Sequence, residues 1–145
     1  MSRLHEIIEC ADKVYNSGCN CSEALTTAFA LSYPDQISDS IIPMSSNFGG
    51  GIASGCICGA IAGGTMVIGA LAGRPIPDSK SKDEVNALSK EYMAALKEVF
   101  LEPCCKEIKE GALGATGEYK NCTRVVRKVT EILAVFLAGK GLIQI

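Results

Sequence analysis

The run IASGCICGAIAGGTMVIGALAG, Ile52–Gly73, decides the fold. No charged residue occurs from Ser40 to Gly73. The run is long enough to test as a bilayer span, and Gly59/Gly63 and Gly69/Gly73 have the small-xxx-small spacing of paired membrane helices. Against a span, nine glycines fall between Gly49 and Gly73, no aromatic belt is present, and no basic flank appears before Arg74. The favoured reading is a helix buried in a protein core, whose glycines let neighbouring backbones come close. The expected architecture is a glycine-rich central helix wrapped by amphipathic ones, with no stable membrane span.

The flanks supply those partners. Leu4, Ile7, Ile8, Ala11, Val14 and Tyr15 recur at helical spacing over residues 3–16, and Gly18 is a stop signal. Asn20 with Glu23 forms a capping-box pattern for a second helix, which Pro34 ends near Tyr33. Residues 34–54, with Pro43 and Gly49-Gly50-Gly51, read as a loop. Beyond the turn Arg74-Pro75-Ile76-Pro77, Ser81 and Glu84 form another capping pattern. Behind it Val85, Leu88, Tyr92, Leu96 and Val99 make an apolar stripe that Pro103 ends. A short helix follows at Cys104–Glu110, then a loop marked by Gly111, Gly114 and Gly117. Asn121-Cys122-Thr123 opens the last helix, striped by Val125, Val129, Ile132 and Phe136 with Val126, Leu133 and Leu137 beside them, and Gly139 is its expected stop. The apolar tail Gly141–Ile145 is expected to dock, with a second subunit as one candidate surface. No strand alternation exceeds a few residues. The fold class is therefore all-α, a compact bundle of about five helices forming a single domain over residues 1–145.

Composition narrows the function. Of the 145 residues 48% are hydrophobic and 21% charged, enough for a sizeable core. Fourteen basic residues balance sixteen acidic ones with no basic stripe, which argues against nucleic acid. The opening MSRLHEIIEC lacks the apolar core of an export signal, so a cytoplasmic location is expected. His5 is the single histidine, which leaves no Ser–His pair and no histidine-rich metal site. The glycine triplet at 49–51 lacks the Gly-Lys-Ser/Thr ending of a phosphate loop. Its better use is to let the backbone pass close to a cysteine site.

Eight cysteines remain: Cys10, Cys19, Cys21, Cys56, Cys58, Cys104, Cys105 and Cys122. In a reducing compartment such a count points to metal or thiol redox chemistry, the bland alternative being small buried hydrophobes. Cys21 and Cys122 follow Asn caps, Cys58 lies near the start of the glycine-rich helix, and Cys104 and Cys105 follow Pro103. A helix N-terminus favours the thiolate, the form that ligates metal or attacks a disulfide. If these helix starts converge, they suit a four-thiolate centre. Cys19/Cys21 and Cys56/Cys58 are spaced two apart and would point about 200° apart on a helix. One principal cysteine per pair is expected unless one member lies in the preceding loop. No C-x-x-C, C-x-x-C-H or ferredoxin run is present.

Phe48-Gly-Gly-Gly-Ile52 followed by Cys58-Gly-Ala-Ile-Ala-Gly63 resembles the signature of the C-GCAxxG-C-C family, whose members are described as redox-active. The resemblance covers most of the chain. It matches a cysteine in an Asn-Cys helix start to Cys21, the CGAxxG cysteine to Cys58, a third before a basic-acidic-apolar triplet to Cys105, and a fourth ahead of the last helix to Cys122. It implies that these four form the functional set. Cys10, Cys19, Cys56 and Cys104 depart from the pattern, so Cys104, Cys56 and Cys19 stay open as alternate ligands.

The resulting expectation is an electron-transfer protein, working with a redox partner and in a homodimer, whose Cys21, Cys58, Cys105 and Cys122 bind an iron–sulfur cluster. Redox activity, implied by the resemblance, favours that cluster over zinc, which accepts four thiolates but is redox-silent. Two alternatives stay open: a metal-free dithiol/disulfide oxidoreductase, and a zinc-stabilised interaction module.

Overall fold

The computed structural model describes residues 2–77, 79–110 and 122–145. The expected loop glycines Gly111, Gly114 and Gly117 and the Asn121 cap lie outside the described residues. Seven α-helices run through the rest: α1 Arg3–Asn16, α2 Cys21–Ser32, α3 Ile41–Ser45, α4 Gly59–Ala72, α5 Ser79–Lys97, α6 Cys105–Glu110 and α7 Cys122–Gly139. The all-α class holds, with one isolated antiparallel bridge among the described residues, Ile57 to Cys104. Among the described residues no helix is long and apolar enough to cross a membrane.

The helix count exceeds the expected five because residues 34–54 are not one loop. Pro43 sits in the first turn of α3, where a missing N–H costs no helical hydrogen bond. A 3-10 turn, Ser46–Phe48, follows. The glycine-rich helix starts at Gly59, next to Cys58 as expected, and not at the Ile52 end of the apolar run. The reason is the backbone of residues 50–53, where Gly50, Gly51, Ile52 and Ala53 take φ of 65°, 66°, 61° and 52°. That is a left-handed turn, which no right-handed helix can contain.

Two helices share the centre. α2 packs against α1, α3, α4 and α7, and α4 packs against α2, α3, α5 and α7. The buried half of α4 is Gly59–Gly64 with Val67 and Ile68, while Gly69 and Ala70 face outward. Small residues make this packing possible. A Cβ on Gly63 would fall 2.9 Å from Ser22 Oγ, and one on Gly64 would collide with the Tyr92 hydroxyl. Tyr92, fully buried on α5, donates its O–H to the Ile61 carbonyl at 3.3 Å. α5 begins at Ser79, so Ser81 lies inside the helix and not at its cap.

On α7 the core face is Val125, Val126, Val129, Leu133, Ala134 and Leu137. Ile132 and Phe136 sit on the flank, with the Phe136 ring 5.9 Å from that of Tyr92. Each fully buried aliphatic or aromatic side chain contributes about 1.5–3 kcal/mol. The helix stops at Gly139, as expected. Gly141, at φ 72°, lets Leu142 N–H reach the Leu137 carbonyl and its own N–H reach Ala138, the paired bonds of a left-handed C-terminal cap. The apolar tail then docks on its own chain. Ile143 is buried, Tyr33 donates to the Gln144 carbonyl at 2.7 Å, and Gln36 Nε2 donates to that of Leu142 at 3.0 Å.

Candidate thiol site

Asn20 builds the first approach to the site. Its Oδ1 accepts from Glu23 N–H at 2.9 Å, and Glu23 Oε1 accepts from Asn20 N–H at 2.9 Å. This reciprocal cap puts Cys21 in the first position of α2, buried at 8% exposure. The cap also clamps the turn that precedes the glycine run. Asn20 Nδ2 donates to the Ser46 carbonyl at 2.8 Å, and Ser46 Oγ donates to Glu23 Oε2 at 2.9 Å.

The second approach is the left-handed turn and the short extended segment after it. Cys58 N–H donates to the Pro103 carbonyl at 2.7 Å, and Cys105 N–H donates to the Cys56 carbonyl. These bonds flank the Ile57–Cys104 bridge and hold residues 56–58 against 103–105. Cys58 therefore arrives as the N-cap of α4 and Cys105 as the first residue of α6. Both are buried, Cys58 at 4% exposure. Cys56 and Cys58 precede the helix together, so the opposed directions expected of a helical i, i+2 pair do not arise.

Two glycines make the approach close. A Cβ on Gly59 would lie 2.5 Å from Cys21 Sγ and 2.8 Å from the Phe48 carbonyl oxygen. A Cβ on Gly51 would lie 2.8 Å from Cys105 Cβ and 2.5 Å from Cys56 N. Cys21 thus leans on the first turn of α4, and Cys105 on the left-handed turn.

Electrostatics links several of these thiols. Burial pushes the Cys58 thiol up to about 12, and Cys21 and Cys105 add to the rise. The Ile61 and Ala60 N–H groups at the start of α4 pull the other way. Cys58 forms no capping hydrogen bond of ordinary geometry, so these amides act as nearby dipoles on its sulfur. Tyr15 lies at the same place. Burial, the Cys122 side chain that its hydroxyl meets, and Cys21 and Cys105 all hold its O–H protonated above the usual tyrosine range. Cys21, Cys58 and Cys105 are thus neighbours, and Cys122, at the first position of α7, joins Cys21 and Cys105 around Tyr15.

The other cysteines do not act on the Tyr15 hydroxyl or the Cys58 thiol. Cys104 points its Sγ to the Gly55 carbonyl at 3.1 Å, Cys56 is exposed, and Cys10 and Cys19 are half-buried. No disulfide joins any of the eight. Among the described residues no group of three or more histidine, cysteine or carboxylate side chains is placed to hold a single metal ion. Tyr15 is the site residue that periodicity does not reveal, because its spacing also fits the apolar stripe of α1. Arg127 pairs with Glu9 at 2.8 Å and Asp12 at 3.3 Å.

A family model described as "Putative redox-active protein (C_GCAxxG_C_C)" matches residues 19–136. No curated protein and no solved structure matches the chain. The matched span takes in Cys21, Cys58, Cys105 and Cys122, and the chain belongs to the C-GCAxxG-C-C family of redox-active proteins.

Proposed function

We propose that the four thiols of Cys21, Cys58, Cys105 and Cys122 bind an iron–sulfur cluster and that the protein transfers electrons through it. The observation that supports this reading is that Cys122, Cys21 and Cys105 all act on the Tyr15 hydroxyl and Cys21 and Cys105 on the Cys58 thiol, with Cys21 Sγ close to Gly59, so that soft sulfur donors come from four separate segments. The donor chemistry fits the group. A single tetrahedral ion such as zinc needs its sulfurs about 3.8 Å apart, from a metal–sulfur bond near 2.3 Å. A cluster spaces its thiolates more widely, because iron and sulfide lie between them.

When bound, such a cluster supplies reversible one-electron storage. The chain's own residues prepare its environment. Burial of Cys21, Cys58 and Cys105 keeps water away, which with backbone dipoles tunes a reduction potential. Ile61 and Ala60 N–H groups favour the thiolate of Cys58. A metal-free dithiol cycle fits less well at Cys58. Held near 12, that thiol is protonated at neutral pH and is a poor attacking group.

The test is iron and acid-labile sulfide analysis of the full chain purified without air, with its visible spectrum. Iron with matching sulfide, both lost in Cys58→Ser while the helical circular dichroism persists, is the expected result. A metal-free colourless chain, stoichiometric zinc, or full iron retention in Cys58→Ser overturns the reading.

A further inference from the structure

Cys56 lies outside the four-cysteine pattern, yet the bridge sets it beside a member of that pattern. Ile57 and Cys104 face each other as a pair without mutual hydrogen bonds. Cys58 N–H to Pro103 and Cys105 N–H to Cys56 are the flanking bonds. In this register the residue opposite Cys56 is Cys105. Opposed residues of an antiparallel pair share one face, with Cβ atoms about 4.5–5.5 Å apart. A disulfide needs Cα atoms about 4.4–6.8 Å apart, and directly opposed antiparallel residues lie about 4.5–5.5 Å apart. Gly51 gives independent evidence of closeness. A Cβ there would lie 2.5 Å from Cys56 N and 2.8 Å from Cys105 Cβ, so both residues rest on one glycine. Cys104 is excluded as the partner, since successive residues in extended backbone face opposite ways and its Sγ is turned to the Gly55 carbonyl. Exposure completes the arrangement, with Cys56 open to solvent and Cys105 buried at 8%.

We propose that Cys56 and Cys105 form a thiol–disulfide pair in which Cys56 meets a low-molecular-weight disulfide from solution. The Cys56 thiolate attacks one sulfur of the small disulfide, whose S–S bond breaks and releases one thiol. The Cys105 thiol gives its proton to water and attacks Cys56 sulfur in the mixed disulfide, releasing the second thiol. Two protein thiols are oxidised by two electrons, and one small disulfide is reduced to two thiols. Taken with the proposed function, on which this second consequence rests, closing the pair withdraws Cys105 from the cluster, so a bound cluster blocks the disulfide.

The test uses the full chain purified without air and freed of metal, treated with oxidised glutathione and mapped by mass spectrometry without reduction. The expected result is joint loss of the Cys56 and Cys105 thiols with a Cys56–Cys105 cross-linked peptide. Cys104→Ser should behave the same, and Cys56→Ser should form no cross-link. A lasting glutathione adduct on Cys56, a Cys56–Cys104 link, or no reaction overturns the proposal. Iron uptake is read separately on the same preparations. A chain that takes up no iron defeats the cluster reading and leaves the pair to stand on its cross-link.

Discussion

The two approaches to the thiol site are built by opposite means. Cys21 is delivered by a reciprocal cap made within four consecutive residues, each in an ordinary conformation. Cys58 is delivered by a left-handed turn through Ile52 and Ala53, at φ 61° and 52°, and by pairing with a segment almost fifty residues away. Each left-handed non-glycine residue costs about 1–2 kcal/mol. Such strain persists only where surrounding contacts over-determine the backbone. Here those contacts are the Pro103 and Cys56 carbonyl bonds and the packing of Gly51 on Cys105. One cysteine is placed by local chemistry, the other by tertiary contact.

The two approaches meet at Gly59, so that is where the comparison breaks most sharply. In Gly59→Ala, at the first turn of α4 beside Cys58, the new methyl would meet Cys21 Sγ and the Phe48 carbonyl. Overpacking of this kind costs about 1–3 kcal/mol, with backbone unable to yield as a flexible side chain would. Gly69→Ala, on the same helix with nothing within 4 Å of its Cβ, is the control. It should stabilise by about 0.5–1 kcal/mol through helix propensity. Urea midpoints should move in opposite directions for the two variants. A shift of the same sign in both would mean that Gly59 is not a point of close approach.

The local approach should respond to cap chemistry alone. Asn20→Ala removes the Oδ1 acceptor and the Nδ2 donor to Ser46, and should cost about 1 kcal/mol. Asn20→Asp keeps the acceptor and loses only the donor, so it should fall between wild type and Asn20→Ala in thermal melts. Equal losses in both would assign the stabilisation to the Ser46 tie and not to the cap.

This difference explains what the sequence discloses. The capping box at Asn20–Glu23 is legible because its partners are three residues apart. The stripes of α1, α5 and α7 are legible because burial follows the helical period. The turn ahead of α4 is not. Residues 34–54 read as a loop and Cys58 as lying near the helix start, but the left-handed backbone of Ile52 and Ala53 and the pairing of residues 56–58 with 103–105 carry no local signal. Cys58 was therefore recognisable from its motif, while its N-cap position and its neighbour Cys105 depended on distant contacts. Tyr15 was hidden for another reason. An aromatic residue at helical spacing reads as core, and only the arrival of Cys122 gives its hydroxyl a role.

A smaller effect sharpens the strained side. Ile52 is about half exposed, so its side chain contributes little by burial. Asn tolerates the left-handed region better than a β-branched residue. Ile52→Asn should therefore stabilise the fold by about 0.5 kcal/mol, seen as a higher urea midpoint at unchanged transition slope. A lower midpoint would show that Ile52 contributes packing that outweighs its strain.

The weakest effect concerns the start of α7, which brings Cys122. Here the tie to α1 is electrostatic: Arg127 bonds Glu9 at 2.8 Å and Asp12 at 3.3 Å across the two helices. The Arg127 hydrogen bond holds the Glu9 carboxyl below its ordinary value of 4.5, against a smaller opposing effect of burial. A depressed carboxylate stabilises the fold above its unfolded pKa, and that stabilisation is lost as pH falls from about 4.5 through the lower folded value. The wild-type chain should therefore lose stability over that acid window more steeply than Arg127→Ala, while at neutral pH the two differ little, as expected for a solvent-screened pair. Added salt should shrink the difference further. Parallel acid profiles for the two chains would leave α7 held to α1 by its apolar face alone, through Val125, Val129 and their neighbours.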